Sequence, residues 1–130
     1  MAGFTDYSED LVLDWLLTAG SATRPTSWYV ALYTVAPTDT GGGTEVSGGS
    51  YAREAITFSV SGTSPATATN SADIEFPEAT ANWGTVVAAG VFDASTGGNL
   101  LAYSNLTTSK AVSTGDVLRF NTGALDITLD

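Results

Sequence analysis

The spacing of turn residues limits the folds open to this chain more than any other feature. After Pro25, apolar residues alternate with polar ones over short runs, and glycine, proline, asparagine or aspartate cuts each run short. Residues 28–35, WYVALYTV, set Trp28, Val30 and Leu32 against Tyr29, Ala31 and Tyr33. Both faces are apolar, as in a strand covered on two sides. In residues 51–60, YAREAITFSV, Ala52, Ile56, Phe58 and Val60 share one phase and Arg53, Thr57 and Ser59 the other, with Glu54 breaking the inward row. SGTSPATAT then reads as a polar linker. NSADIEF alternates Ala72, Ile74 and Phe76 with Asp73 and Glu75, and Pro77 ends it because proline has no N–H for a ladder. GTVVAAGVFDA, the turn STGGN and LLAYSNL make a hairpin. VSTGD is a turn ahead of VLRF, and the TTSK before it, with Lys110, reads as a solvated loop. ALDITLD closes the chain with Leu125, Ile127 and Leu129 opposite Asp126, Thr128 and Asp130.

One segment has the helical period instead. A helix is expected over about residues 8–19, with Ser8 as N-cap, Glu9 and Asp10 in the first turn where the helix dipole favours acids, and Gly20 as the stop. Leu11, Val12, Trp15 and Leu16 form one face, which Leu13 and Leu17 broaden. A stripe this wide on so short a helix either plugs the end of a β-structure or meets another subunit. One helix and about seven short strands predict a mainly β fold, an antiparallel β-sandwich or jelly roll with one N-terminal α-helix. Residues 1–130 read as a single domain.

Composition narrows the chemistry. Histidine and cysteine are both absent, which removes the Ser-His-Asp triad, the Cys-His pair, disulfides and cysteine-rich zinc sites. A paired-carboxylate hydrolase stays formally open, but most acids fall in turns or on the polar phase of strands, where solubilising carboxylates belong. Asp93–Asn99, DASTGGN, lacks the repeated acids of a calcium loop and reads as a turn held by Asp93 and Asn99. No catalytic, cofactor or metal residue is assigned. Fourteen acids against four bases give a surface that repels phosphates, so neither nucleic acid nor an anionic membrane is an expected partner. The acidic N-terminus and the lack of a long apolar run predict neither a secretory leader nor a membrane span.

Residues 36–50 form a glycine-rich loop with only Ala36 and Val46 as apolar side chains. Such a connection either drapes over a neighbouring subunit or is a mobile hairpin tip. Arg53, just past it, either anchors the loop on Asp39 or Glu45, pairs across an interface, or makes a minor exposed ion pair.

The run WYVALYTVAPTDTGGGTEVSGGSYAR resembles a family of short bacteriophage structural proteins labelled tail fibre proteins. The resemblance continues through ATNSADIEFPEATANWGTV, GVFDASTGGNLLAYSNL and ALDITLD. It implies a virion component on the outer head surface or the tail, with the major capsid protein or tail components as partners, and it brings no catalytic motif. In size and β-richness the chain is also similar to small capsid-decorating (cement) proteins, which sit on the shell as trimers. Decoration of the capsid as a homo-oligomer, possibly a trimer, is therefore the expectation, and a tail-associated protein of host attachment is the alternative. Candidate contact residues are Phe4, Tyr7, Leu13, Leu17, Gly41, Gly42, Gly43, Glu45 and Arg53; against each stands a core reading, which is the favoured one for Leu13 and Leu17. A glycan-binding tail protein would use Trp83 with Asn82 and Glu78, against which stands Trp83 as a buried plug.

Overall fold

The computed structural model describes residues 3–63 and 65–129, so Asp130, assigned above to the polar phase of the last strand, lies outside the described residues. In chain order the elements are β1 (Gly3–Phe4), α1 (Asp6–Leu17), β2 (Tyr29–Val35), β3 (Thr44–Glu45), β4 (Glu54–Ala55), β5 (Phe58–Ser61) and β6 (Ala66–Asn70). They continue with β7 (Ile74–Glu75), β8 (Gly84–Phe92), β9 (Leu100–Val112), β10 (Arg119–Phe120) and β11 (Asp126–Leu129). All pairings are antiparallel. One sheet runs β1-β9-β8-β2-β3, with β4 also on β2. Against it lie β11-β6-β5 and the short pair β10-β7. The fold is a mainly β sandwich with one helix among the described residues, at its N-terminal end, as the turn spacing predicts.

β2 is the centre of the large sheet. Val30 to Tyr33 are all buried, the two-sided burial expected of WYVALYT. Its even residues face the main core, where Val30 and Leu32 join Ile56, Ile74, Phe76, Trp83, Val86 and Leu118. Its odd residues face a smaller cluster of Ala31, Tyr33, Ala88 and Phe92 on the opposite side. That second cluster is what α1, the glycine loop and the turn after β8 cover.

Three expectations are corrected. SGTSPATAT is not merely a linker: Ala66–Asn70 is the middle strand of its sheet, because Asn70 is buried and donates through Nδ2 to the Ala72 and Asn121 carbonyls at 2.9 and 3.0 Å. Lys110 lies on β9 opposite Val86, not on a loop, although its side chain is exposed. Val60 is 73% exposed, since β5 has no cover on that side. The glycine loop folds back as a hairpin: Thr38 and Gly41 exchange both backbone hydrogen bonds at 2.9 Å, and Thr44–Glu45 returns as β3 on β2.

That return depends on Gly43. Its φ is +72°, and an added Cβ would lie 2.5 Å from the Val35 carbonyl oxygen and 2.8 Å from the Pro37 nitrogen. Gly43→Ala is expected to cost about 2 kcal/mol, the left-handed penalty plus a backbone shift, read as a lower urea midpoint with an unchanged slope.

Candidate functional site

Two features stand out on the face that carries the second cluster: a polar lock beneath the glycine hairpin, and a helix that overhangs the body.

The lock follows from the register of β2 and β3, which sets Glu45 opposite Tyr33. Arg53 reaches the Glu45 carboxylate with two parallel bonds, Nε to Oε2 and Nη2 to Oε1, both 2.8 Å. Its Nη1 donates to the carbonyls of Ala94 and Gly97 at 2.9 and 2.8 Å, and its guanidinium lies 3.6 Å over the Phe92 ring. Tyr51 donates to Glu45 Oε2 at 2.7 Å, and its hydroxyl accepts from the Leu32 N–H at 3.0 Å. One arginine thereby joins three separate pieces of chain: the hairpin, the strand start and the turn after β8. The side chains are 8% exposed for Arg53 and 27% for Glu45, so the minor surface pair considered for Arg53 is not what forms.

Electrostatics follow from this packing. Burial by itself raises the Glu45 carboxyl, but the bonds from Arg53 and Tyr51 outweigh it and hold the group below the usual carboxylate range. Burial, reinforced by the bond to Glu45, drives the Tyr51 hydroxyl far above the ordinary phenol value. Tyr33 is pushed up to about 12, by burial first and the Glu45 charge second. Because the folded pKa of Glu45 lies below its unfolded value, its stabilisation is complete above the unfolded pKa near ~4.3 and fades as pH falls through the folded one. Urea melts of the wild type and Glu45→Gln should therefore differ most near neutral pH and converge as pH falls below the unfolded carboxylate value. A gap that stays constant over that range would contradict this account.

The helix begins earlier than Ser8. Thr5 is the N-cap, accepting from the Ser8 N–H, so α1 runs Asp6–Leu17 instead of 8–19. The reason lies in β9. Thr5 donates its N–H to Leu101 O at 3.1 Å and its hydroxyl to Leu100 O at 2.6 Å, while the Ser8 hydroxyl donates to Leu101 O at 2.7 Å. The Asp6 N–H is held by the Asp39 carbonyl at 3.0 Å, and Asp39 Oδ1 accepts from the Tyr103 hydroxyl at 2.9 Å. The helix stops at Leu17 instead of reaching Gly20, because Thr18 turns extended and donates its hydroxyl to Asp14 Oδ1 at 2.7 Å.

These bonds fix only the first turn. Ser8 is buried and Leu11 and Val12 are half-buried, whereas Leu13, Trp15, Leu16 and Leu17 are 56, 66, 64 and 71% exposed. Trp15, four residues after Leu11, continues the packed stripe past the edge of the body, while Leu13 and Leu17 lie on the opposite side. Reading Trp15 and Leu16 as an inward face, or Leu13 and Leu17 as core, is thus corrected. Sequence reasoning placed Leu13 and Leu17 among contact candidates but missed Trp15 and Leu16. The signal was the excess width of the stripe, six apolar residues in seven positions.

The other candidates fall as follows. Phe4 is half-buried on β1 opposite Ala102, and Tyr7 is 42% exposed. Tyr7, Gly41 and Gly42 share one cleft with Asp39, and Gly43 adjoins it at the hairpin base. Glu45 and Arg53 turn inwards to each other. Trp83 is a plug, 5% exposed, with its indole N–H on the Gly49 carbonyl at 2.9 Å and Tyr51 edge-on at 5.4 Å, so no ring face is free to stack on a sugar. Asn82 accepts from the Thr114 N–H, and Glu78 is exposed. Both oxygens of Asp93 accept from Asn99, at 2.7 and 3.0 Å, the turn expected there.

Residues 3–128, nearly the whole chain, match the family described as Podophage GP4 fiber I protein gp80. No curated protein matches the chain.

Proposed function

The chain belongs to the Podophage GP4 fiber I protein gp80 family, and we propose that it works as a non-enzymatic structural subunit fastened within the virion by the free end of α1. Membership makes it a phage tail fibre-type virion component, associated with other virion proteins. The observation that carries the fastening role is the overhanging end of α1. Four large apolar side chains exposed at one helix end form a patch that soluble monomers rarely keep uncovered. A structural role is also supported by how the two carboxylates held below their usual range are used. Glu45 is fixed by Arg53 and Tyr51, and Asp73 by Arg119 and by the Thr122 N–H and hydroxyl, which leaves neither free to act on a substrate.

The family description favours a place in a fibre. Decoration of the head shell is the second reading, favoured by a sequence with no heptad run, stalk or repeat of its own. Immunogold labelling of intact particles separates the two. Label at the tail in low copy is expected, whereas label spread over the head in high copy would move the subunit to the shell.

A further inference from the structure

We infer that the free end of α1 is received by a second copy of this chain, in the groove between β9 and the β10–β11 segment, so that copies join head to tail. The inference rests on the reading of α1 as the fastening element and names its partner.

Two unfilled features of the same chain match each other. The first is the helix end. Leu13, Trp15, Leu16 and Leu17 surround the axis with Asp14 the one polar position among them, and a helix apolar on all sides calls for enclosure, not a flat surface. The second is a groove of about 840 Å³, within the roughly 300–1,000 Å³ of sites that enclose a ligand. It exists because β9 bulges: between the pairs Ala88–Asn105 and Val86–Lys110, Val87 on β8 faces four residues, 106–109, on β9. A bulge bends its strand, and β10 and β11 do not pair with β9 to close the gap. Phe58, Leu106, Phe120 and Leu125 give the groove an apolar floor, each only partly buried against the core.

Charge adds one local contact. Of the helix acids Asp6, Glu9, Asp10 and Asp14, only Asp14 lies in the free end, which has no base in its last turn and is the negative pole of the helix dipole. Lys110 and Arg119, two of the four bases of the chain, line the groove. Two acids line it as well, Asp116 on the Ser113 N–H and Asp126 on the Thr69 hydroxyl; these neutral donors leave both charges in place, so the groove as a whole is not basic and the match is local, at Lys110. Arg119 is paired with Asp73, and Lys110 makes no ion pair among the described residues, so Lys110 is the cation left for an incoming carboxylate. Knob and groove are different patches, so the contact is heterologous and builds a ring or a filament instead of a two-fold dimer.

Sedimentation of the full chain tests this with two variants. Leu13→Ser/Trp15→Ser/Leu17→Ser removes the knob, and Thr107→Trp/Ala124→Trp fills the groove from two exposed positions on its wall. Wild type should grow in mass with concentration. Each variant alone should stay monomeric, and a mixture should form a one-to-one pair, since one intact knob and one intact groove remain. Should the filled variant not fold, Lys110→Glu replaces it and is expected to weaken wild-type assembly about tenfold. Wild type that remains monomeric at millimolar concentration, or a knob variant that assembles like wild type, overturns the inference. In that event, virions that lose the knob variant keep α1 as the fastener with a different virion protein as its socket. Virions that retain it remove both readings.

Discussion

Arg53→Ala is expected to destabilise the protein by about 3 kcal/mol, lowering the melting temperature by roughly 10 °C. The substitution removes five interactions together: two bonds to Glu45, two to the carbonyls of Ala94 and Gly97, and the contact with Phe92. It also strands Glu45, which is three-quarters covered and keeps only Tyr51 as a donor. The cost therefore comes mainly from the charge left behind. Lysine should not rescue, because a point charge cannot supply the parallel fork and the ring contact at once. Pairing Arg53→Met with Glu45→Gln should recover a substantial part of the loss, since neither partner then holds a buried charge. Urea melts of the two single variants and the double variant measure this coupling directly. Additive effects would show that the lock is not a unit.

Phe76→Ala is expected to cost more, about 3–5 kcal/mol. Phe76 is 1% exposed, stacked on Tyr51 at 6.2 Å and set edge-on to Phe120 at 6.3 Å. It is the bridge between the lock and the second layer: Tyr51 carries the hydrogen bond to Glu45, and Phe120 belongs to β10. The rigid strands around it cannot collapse into the space it leaves. For a domain whose whole stability is about 5–15 kcal/mol, that loss brings the chain close to unfolding at room temperature. Phe76→Leu keeps most of the volume and should cost about 1.5 kcal/mol. Near-equal losses for alanine and leucine would mean the aromatic contacts, not the filled volume, hold the layers together.

Long-period features were legible in the sequence and short-range exceptions were not. The two-sided burial of β2 and the hairpin of β8 and β9 follow from apolar alternation. That alternation is forced wherever one or both faces of a strand are covered. β6 escaped because Ala66–Asn70 carries small and polar residues, its place being set by pairing with strands on both sides. The fold-back of the glycine hairpin rests on two paired residues and three left-handed glycines, too short a run for any period to register. Ser8 looked like the helix cap because serine suits that position, yet its hydroxyl is committed to the Leu101 carbonyl and Thr5 caps in its place. The exposed end of α1 was misread for a related reason. Spacing tells which residues share a face, not how far the body beneath the helix extends.

The most direct test of α1 as the fastening element is incorporation into particles. Wild type and the Leu13→Ser/Trp15→Ser/Leu17→Ser variant would be co-expressed during assembly and counted in purified virions by mass spectrometry. The variant should melt at the wild-type temperature, because none of the three side chains is buried, yet be depleted about tenfold or more, as the loss of even ~1.4 kcal/mol of contact requires. Equal copy numbers of the two proteins in the virion would contradict the account.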